Sequence, residues 1–320
     1  MLRLSTARAA SFIAIIVATT LAACSKTAEA PQEPAAAPAP APVAESTPAP
    51  ASENVKSFTI GELTALALRD GGFEMPNDNK VLGVGRTPEE VAAVLAANGL
   101  PTDKLSLTIT PLLVNAKDRV LLFDTGAGTN FGPGSGKLQA SFVEAGVDPA
   151  SVTDIFISHS HGDHIGGLLK ADGGLAFPNA TIRMSKPEWD FLSGQENQAA
   201  LVAAIKSKVE AFKPDAELVP GTVKAVEIKG HTPGHSGYLI TSAAASLLYV
   251  GDSMHHYVVS VQKPEWTIAF DGDNAIASKS RAELIASSAA NGQRIYAVHF
   301  PFPPIGKFEK RTEGIVWVGE

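Results

Sequence analysis

Cysteine is almost absent from this sequence, which has a single cysteine, Cys24, among 320 residues. Because Cys24 lies near the N-terminus, the rest of the chain offers no thiolate ligand to a metal site. The apolar stretch from Phe12 to Ala23 is too short to cross a bilayer comfortably. Lys and Arg (26) are outnumbered by Asp and Glu (33), giving a formal net charge of -7. This acidic balance argues against nucleic acid as a substrate, since phosphate backbones need a basic groove.

The N-terminal segment has the features of an export signal. Arg3 and Arg8 precede the apolar stretch, which ends in Leu21-Ala22-Ala23-Cys24. This ending resembles the lipobox of bacterial lipoproteins, in which the chain is cut ahead of a cysteine that then carries a lipid. An ordinary signal peptide with a chance cysteine is the alternative. We expect residues 1–23 to be a lipoprotein signal peptide, and Ser25 resembles the address of a periplasm-facing outer-membrane lipoprotein.

Residues 24–56, which follow the predicted cleavage site, are rich in alanine and proline. Such a stretch cannot bury a core and favours extended conformations, so we expect a disordered tether. The lipid on Cys24 would be the protein's only contact with a membrane. Residues 57–320 fit one α/β domain without needing a second.

Apolar and β-branched runs predict the strands of this domain, and helical periodicity predicts its helices. The predicted strands are Ser57–Ile60, Leu63–Leu68, Leu105–Val114, Val120–Phe123, Ile155–Ile157, Val223–Ile228, Tyr238–Ile240, Leu247–Val250 and Ile295–Val298, with a turn at Gly71-Gly72. The predicted helices are Lys137–Glu144, Gln198–Phe212 and Ser280–Ala290. The second helix carries a stripe of core residues at Leu201, Ile205, Val209 and Phe212. Two successive strand-rich batches suggest a four-layer αββα sandwich, with two sheets inside and helices outside.

Histidine is scarce and unevenly placed: there are eight, none before residue 159, and three stand in the string His159-Ser160-His161-Gly162-Asp163-His164. The string follows a predicted buried strand. Side chains two apart on extended chain share a face, so His159 and His161 can reach one metal ion. The turn at Gly162 lets Asp163 and His164 point toward a second. The string therefore predicts a two-metal site.

Three further candidates, His231, Asp252 and His299, each lie at the end of a predicted strand. A lone histidine of this kind is more often a packed or surface residue than a ligand. Four separate strand ends that all carry histidine or aspartate are improbable as a coincidence. We therefore expect these residues to complete the metal site.

These segments resemble the metallo-β-lactamase-fold hydrolase superfamily from Ser57 to the C-terminus. The matching segments are Asp124-Thr125-Gly126, His159 to His164, Gly230 to His235, Gly251-Asp252 and His299. Three other segments look like the exported branch that contains methyl parathion hydrolase: Phe131-Gly132-Pro133, Leu175 to Ala180 and Phe300 to Gly306. Lys307, where that branch would carry histidine, and the pair His255-His256 depart from it.

The resemblance implies two metal ions with a shared ligand. One ion would be held by His159, His161 and His231, the other by Asp163, His164 and His299, with Asp252 bridging them. Imidazole and carboxylate ligands suit Zn²⁺, although Mn, Co or Fe can occupy the same ligands. A hydroxide bridging the ions would attack the substrate. Asp163 and Asp252 are therefore the candidate catalytic residues, with Asp163 also able to shuttle the proton.

Several residues outside this ligand set are candidates for supporting roles. Asp124, in a turn after a strand, is expected to orient a ligand or the turn as a hydrogen-bond acceptor. His235 can be a ligand, a residue behind the ligands or a turn residue, and we favour the position behind the ligands. His255 and His256 are expected either in the pocket wall or on the surface, and Phe131 and Trp189 are further candidates for apolar walls. An aromatic residue in a loop is more often packing than recognition.

The expected function is hydrolysis of a small-molecule ester, lactone or phosphotriester, with acyl-homoserine lactone hydrolysis as the main rival. A redox di-iron relative would be expected to carry glutamate where His161 stands. A β-lactamase with a cysteine ligand is excluded by the position of Cys24. Glutathione-thioester hydrolases carry an extra helical C-terminal part that the short tail after His299 cannot supply. A non-catalytic lipid-anchored metal-binding module predicts a lost ligand, and none is missing.

Overall fold

The computed structural model describes residues 52–129 and 131–320. The predicted signal peptide, Cys24 and almost all of the tether predicted for 24–56 lie outside the described residues. Within the described part, no helix is both long enough and apolar enough to cross a membrane.

The described chain forms eighteen strands and seven α-helices. The strands are β1 (Val55–Ile60), β2 (Leu63–Leu68), β3 (Gly71–Pro76), β4 (Leu82–Val84), β5 (Lys104–Ile109), β6 (Leu112–Ala116), β7 (Arg119–Phe123), β8 (Asp154–Phe156), β9 (Thr181–Ser185), β10 (Val209–Phe212), β11 (Glu217–Val219), β12 (Val223–Glu227), β13 (Ser236–Ser242), β14 (Ala245–Tyr249), β15 (Thr267–Ile268), β16 (Arg294–Tyr296), β17 (Ile305–Arg311) and β18 (Gly314–Gly319). The helices are α1 (Pro88–Ala97), α2 (Leu138–Glu144), α3 (Gly162–Ile165), α4 (Lys186–Ser193), α5 (Ala199–Ile205), α6 (Val259–Gln262) and α7 (Asn274–Asn291).

The first large sheet has the strand order β1-β2-β6-β7-β8-β9-β10. Its first four strands are antiparallel neighbours, whereas β7, β8, β9 and β10 run parallel to one another. Phe123 at the end of β7 pairs with Phe156 at the end of β8. The loops that follow these two strands therefore leave the sheet side by side.

The second large sheet has the order β11-β12-β13-β14-β16-β17-β18. All its neighbours are antiparallel except β14 and β16, which are parallel and pair Tyr249 with Tyr296. The chain segments after β14 and β16 therefore also leave the sheet side by side. Two small two-stranded sheets, β3 with β5 and β4 with β15, complete the pairing.

Three apolar clusters account for the layers. The inner cluster combines residues of both large sheets, including Leu112 and Phe123 from the first and Tyr238 from the second. A second cluster packs α2, α4 and α5 onto the outer face of the first sheet, and a third packs α6 and α7 onto the outer face of the second. Each sheet thus buries both faces, and the predicted four-layer αββα sandwich is confirmed.

The helix predicted for Gln198–Phe212 is wrong in its second half. The helix α5 ends at Ile205, and Val209–Phe212 is instead β10, parallel to β9. Ile205 packs in the outer cluster, whereas Phe212 packs in the inner one. Apolar residues four apart fit one long helix or a short helix followed by a strand, because a stretch this short does not separate the two periods.

Two other local predictions are corrected near β3 and β5. The strand predicted for Leu105–Val114 is interrupted, since β5 ends at Ile109 and β6 begins at Leu112. The intervening Pro111 has no N–H to donate to a ladder. Gly71-Gly72, predicted as a turn, begins β3, which pairs antiparallel with β5.

The helix predicted for Ser280–Ala290 is longer at both ends. It is α7, which begins after Asp273, whose side chain accepts a hydrogen bond from the Ile276 N–H. It ends at Gly292, whose left-handed φ of 62° suits glycine. The helix α1 is missing from the predicted helices, although its capping box of Thr87 and Glu90 is a recognisable signal.

Candidate metal centre

The topology brings the strand ends that carry histidine or aspartate to one edge of the sandwich. His159 follows β8, and the parallel pair β14 and β16 delivers Asp252 and His299. His231 lies in the loop between β12 and β13. Strand β13 pairs with β14, and β14 leads to Asp252. Because parallel strands end at the same edge, residues far apart in the chain meet there.

The first ligand group contains three histidines and Asp252. His231 Nε2 lies 3.1 Å from His159 Nε2 and 3.0 Å from His161 Nδ1. Ligand atoms of these three histidines and Asp252 all lie within 4.8 Å of one another. His159 and His231 are buried, while His161 is half-buried.

The second ligand group contains Asp163, His164, His299 and the same Asp252, again with ligand atoms within 4.8 Å of one another. Asp163 Oδ2 lies 3.7 Å from His164 Nε2 and 3.5 Å from His299 Nε2. All four residues are buried, with Asp163 the most open at 8% exposure. The structure thus brings together all seven residues proposed from the sequence as ligands, in the two expected sets.

Asp252 lies between the two groups and presents a different oxygen to each. Its Oδ2 is 3.6 Å from His159 Nε2 and 3.5 Å from His231 Nε2. Its Oδ1 is 3.1 Å from His164 Nε2 and 3.0 Å from His299 Nε2. Burial acts to raise the pKa of Asp252, but the surrounding imidazoles outweigh burial and hold the pKa well below its usual value.

Several polar atoms at this point have no hydrogen-bond partner among the described residues, although they are fully buried: His164 Nε2, His299 Nε2 and Asp252 Oδ1. These atoms lie close to one another, but the angles between them are unsuitable for hydrogen bonds. An unpaired buried polar atom is costly, and three that converge on one point are the arrangement that a bound cation would satisfy. The donor set therefore fits a metal ion.

The two groups differ in the direction in which the pKa values of their histidines are shifted. Burial lowers the pKa of His159 well below its usual value and lowers the pKa of His231 to about 4. Both are therefore neutral at pH 7, the form that binds a metal. Burial also acts to lower the pKa of His164, but the carboxylates around it, with Asp252 the strongest, outweigh burial and raise its pKa well above its usual value. In the second group, a metal cation would take the place of the positive charge that a proton on His164 otherwise supplies.

Asp124 supports the second group. Its carboxylate lies 2.7 Å from His164 Nδ1 and accepts hydrogen bonds from the Ser158 N–H, the Ser158 hydroxyl and the Tyr249 hydroxyl, each at 2.7 Å. With Nδ1–H donated to Asp124, the Nε2 lone pair of His164 faces Asp252. Asp124 itself has a φ of 57°, which is uncommon for a residue with a side chain, and these four contacts hold it there.

Asp271 plays the corresponding part for the first group and is absent from the residues proposed from the sequence. Its Oδ1 lies 2.9 Å from His231 Nδ1, and its Oδ2 accepts a hydrogen bond from the guanidinium of Arg281. Arg281 is 1% exposed and comes from α7. No local spacing links Asp271 to His231, since the pair forms only when the β12–β13 loop meets the segment before α7.

His235 lies behind the ligands, as expected. Its Nε2 accepts a hydrogen bond from the Asp252 N–H at 2.9 Å, and its Nδ1 donates to the Ile228 carbonyl at 3.0 Å. This fixes the backbone at Asp252. The preceding residue must be glycine, because Gly251 has a φ of 50° and a Cβ there would come within 2.6 Å of His235 Nε2.

Glu188, at the start of α4, joins the two loops that carry the first ligand group. It is fully buried and accepts four hydrogen bonds: from the Ser160 N–H at 2.8 Å, the Ser160 hydroxyl at 2.6 Å, the Thr232 hydroxyl at 2.6 Å and the Gly234 N–H at 3.0 Å. Ser160 separates His159 from His161, and Thr232 follows His231. None of the four donors is charged, so the buried carboxylate adds negative charge behind the first group. Glu188 is not among the residues proposed from the sequence.

A cavity of about 360 Å³ opens onto both groups. It is lined by Phe73, Phe131, His161, Gly162, Asp163, Asp252, His255, Ala269, Phe270 and His299. His255 Nε2 lies 3.2 Å from Asp252 Oδ2, and both ring nitrogens of His255 are buried without a hydrogen-bond partner among the described residues. The His255 ring stacks on that of His299, with 5.4 Å between ring centroids. His255 and Phe131 thus both lie in the wall of this cavity.

His256 and Trp189, also candidates for the pocket wall, are placed elsewhere. His256 is buried, and its Nδ1 accepts hydrogen bonds from the N–H groups of Val258 and Val259 where α6 begins. Trp189 packs against the outer apolar cluster of the first sheet. Neither is among the described residues that line the cavity. Lys307 is exposed on β17.

The chain was compared with known protein families. The sequence pattern of the metallo-beta-lactamase superfamily matches residues 109–299, a range that contains all seven residues of the two ligand groups. The chain belongs to the metallo-beta-lactamase superfamily.

Solved structures similar to this superfamily member include AidC, a dizinc quorum-quenching lactonase in complex with a product, N-hexanoyl-L-homoserine. It is 29% identical, with a TM-score of 0.78, over 83% of this chain and 97% of AidC. AbOPH, a hydrolase in the beta-lactamase superfamily, is 27% identical with a TM-score of 0.76, over 84% of this chain and 98% of AbOPH.

Among curated relatives, ribonuclease Z from Synechocystis sp. is 34% identical over 101 residues, which are 31% of this chain. The chain spans only 28% of the length of that relative. The similarity to ribonuclease Z is therefore confined to part of each protein.

Proposed function

We propose that this protein is a binuclear metal-dependent hydrolase of small-molecule esters and lactones. One ion would be held by His159, His161 and His231, the other by Asp163, His164 and His299. Asp252 would bridge them. The observation that carries the proposal is the orientation of Asp252, which turns one oxygen toward each group while its Oδ1 has no hydrogen-bond partner among the described residues.

The donor chemistry supports zinc as the resident metal. Five imidazoles and two carboxylates offer nitrogen and oxygen ligands, which Zn²⁺ accepts readily, although Mn, Co or Fe can use the same set. AidC, a dizinc lactonase that is 29% identical to this chain, supports the same choice. Two such ions supply a water of lowered pKa and polarise the bond under attack.

The chain's own residues determine how a substrate meets this centre. Asp163 lines the cavity and, unlike Asp252, belongs to the second group alone, so it is placed to receive a proton from the attacking water and pass it to the leaving group. Phe131 and Phe270 are 42% and 37% exposed and offer apolar walls for the remainder of the substrate. A cavity of about 360 Å³ suits a small molecule.

Lactones and carboxylic esters are the substrates we favour, because the lactonase AidC aligns with this chain over 97% of its length. Acyl-homoserine lactones are one member of this class. Phosphotriesters are the second candidate, because the branch containing methyl parathion hydrolase resembles this chain at Phe131-Gly132-Pro133, and Phe131 lines the cavity.

A substrate panel tests the proposal. Purified protein with Zn²⁺ or Mn²⁺ added is assayed against lactones, aryl esters, phosphotriesters and β-lactams, beside an Asp252→Ala control. We expect turnover of lactones or esters, about two metal equivalents per chain by elemental analysis, and no turnover by the control. Full activity with one equivalent or none would refute the two-metal mechanism. Two bound equivalents without turnover of any substrate would favour a non-catalytic metal-binding module.

We also propose that the protein is exported and anchored by a lipid on Cys24, facing the periplasm from the outer membrane. The support is the signal-like segment 1–23 and the unique cysteine that follows it. Expression with radiolabelled palmitate in a Gram-negative host should label the wild-type protein in the membrane fraction. Cys24→Ser should be unlabelled, and labelling of both proteins or of neither contradicts the anchor.

A further inference from the structure

A second cleft, of about 670 Å³, lies beside the metal cavity. Phe73 and Phe131 line both spaces, and their rings stack with 6.1 Å between centroids. Thr108, another wall of the cleft, accepts a hydrogen bond from His299 Nδ1 through its carbonyl at 2.7 Å. The cleft is therefore separated from the metal centre by a pair of aromatic rings and one residue of β5.

The cleft has an excess of positive charge in a protein that is acidic overall. Its charged lining residues are Arg69, Lys137 and Glu74. Glu74 is already paired, since its carboxylate lies 2.9 Å from Lys104 Nζ and accepts a hydrogen bond from the Ser106 hydroxyl at 3.1 Å. The positive charge of the cleft therefore comes from Arg69 and Lys137.

Neither cation is engaged by another side chain of the described residues. Arg69 is a half-buried residue and Lys137 an exposed one, and neither side chain has a hydrogen bond or an ion pair among the described residues; the backbone of Arg69 donates to Asn54 and the backbone of Lys137 donates to Asp70. This absence of an acceptor distinguishes Arg69 from other arginines of the described part of the chain. Arg119, Arg183 and Arg281, for example, each reach a buried carboxylate.

A third cavity, of about 610 Å³, shares His161 and Phe270 with the metal cavity. Its walls combine the exposed apolar residues Phe191 and Ile276 with the charged residues Glu227, Lys229 and Asp273. With two acids and one base, this cavity lacks the excess of positive charge that the cleft has.

We propose that the cleft of Arg69 and Lys137 binds the anionic end of the substrate, a carboxylate or a phosphate, while the scissile bond lies at the metal centre. This inference rests on the proposed hydrolase function and specifies its substrate class. Arg69 would receive the anion through two N–H donors of its planar guanidinium, and Lys137 would add a single charge from the rim. The attraction weakens with added salt because the cleft is open to solvent.

Matched esters test this proposal. 4-Nitrophenyl butyrate is neutral, mono-4-nitrophenyl glutarate ends in a carboxylate, and a 4-nitrophenyl ester with a terminal phosphonate supplies the phosphate-like end. The measurement is the ratio of kcat/KM for each anionic ester to kcat/KM for the neutral one. We expect the wild-type ratio to exceed one and to fall as the salt concentration rises. The larger of the two ratios identifies the anion.

Variants locate the preference in the cleft. Arg69→Met should lower the ratio about tenfold, chiefly through KM, because it removes a half-buried charge-assisted contact. Lys137→Met should lower it about threefold, since an exposed charge contributes less. Arg69→Lys should restore part of the ratio. Lys279→Met removes an exposed cation on α7 and serves as the matched control, with an unchanged ratio.

Each outcome decides the proposal. A wild-type ratio at or below one, or a ratio that Arg69→Met and Lys137→Met leave unchanged, overturns it. If Arg69→Met does not fold, Lys137→Met and the salt dependence carry the test. If none of these esters is hydrolysed, calorimetric titration of monomethyl glutarate tests the cleft separately: binding that Lys137→Met weakens supports the cleft, and equal or undetectable binding overturns it. The proposed function itself fails only if the lactones of the substrate panel are not hydrolysed either.

Discussion

The two ligand groups share Asp252 but are built differently. The first has three imidazoles and no carboxylate of its own, whereas the second has two imidazoles and Asp163. Two carboxylates lie behind the first group: Glu188, whose donors are all neutral, and Asp271, which is also paired with Arg281. The second group has one carboxylate behind it, Asp124, and a second, Asp163, within its ligand set. An ion in the first group should therefore depend more strongly on residues that never touch it.

The largest expected effect comes from removing what the two groups share. Asp252→Ala deletes both bridging oxygens, so both ions should be lost or weakly held, and kcat/KM should fall by about 10⁴-fold or more. Elemental analysis after dialysis and ester-hydrolysis assays measure the two effects. Asp154, a buried carboxylate held by Arg119 and Arg183, offers a control in Asp154→Asn. Retention of one full metal equivalent in Asp252→Ala would mean that the groups are independent.

Single-group substitutions should separate the two ions. His161→Ala should lose the ion of the first group and Asp163→Ala that of the second, each leaving about one equivalent per chain and lowering kcat/KM by about 100-fold or more. His161 is half-buried, so its removal disturbs little packing. Metal analysis of the His161→Ala and Asp163→Ala double variant should give no bound metal. If either single variant keeps both ions, the assignment of that residue to its group is incorrect.

The candidate ligands can be proposed from the sequence because several of them follow predicted strands. Asp252 and His299 each follow an apolar run, and their strands β14 and β16 are parallel neighbours whose ends lie at one edge of the sheet. The layer order follows from the same runs. Strand β10 and helix α5 were harder to separate, because apolar residues at 201, 205, 209 and 212 fit a helix equally well.

The residues behind the ligands could not be predicted in the same way. Glu188 and Asp271 lie in segments with no metal-binding motif, and their partners Ser160, Thr232 and His231 come from distant parts of the chain. A hydrogen bond between such segments has no fixed sequence spacing. Asp124 was predictable because its own segment follows a strand beside that of His159.

Glu188→Gln tests whether the first group depends on the charge behind it. The amide keeps the size of the side chain but removes the negative charge. Its NH₂ group also points toward donors that a carboxylate oxygen accepted from. The metal affinity of the first group should therefore fall about 10- to 100-fold. Competition with a chromogenic chelator measures the affinities of the more tightly and the more weakly bound ion separately. The absorption spectrum of the cobalt-substituted protein reports the geometry of the first group independently of activity.

Asp154→Asn is the matched control for Glu188→Gln, because it neutralises a buried carboxylate outside the metal centre. It should lower the melting temperature of the metal-free protein and leave metal affinity unchanged. If Glu188→Gln behaves in the same way, Glu188 supports the fold rather than the first ligand group.

The smallest expected effect concerns His256, an imidazole outside both groups. Burial lowers the pKa of His256 to about 4, from the 6.5 that is usual for an exposed histidine. Between these values the unfolded chain takes up a proton and the folded protein does not, so this contribution to stability is full above pH 6.5 and is lost as the pH falls toward 4. At pH 5 the loss is about 2 kcal/mol, from about 1.4 kcal/mol per pH unit. His256→Asn removes this titration and keeps a side-chain acceptor for the N–H groups of Val258 and Val259.

Urea unfolding of the chelated, metal-free protein at pH 7 and pH 5 measures the effect of His256→Asn. Metal is removed because the ligand histidines would otherwise add their own pH dependence through metal release. From pH 7 to pH 5 the wild-type protein should lose about 2 kcal/mol more stability than the variant, because only the wild-type unfolded state gains this proton. Equal losses would show that His256 takes up its proton in the folded protein too, so that the imidazole outside the ligand groups is not held neutral by burial.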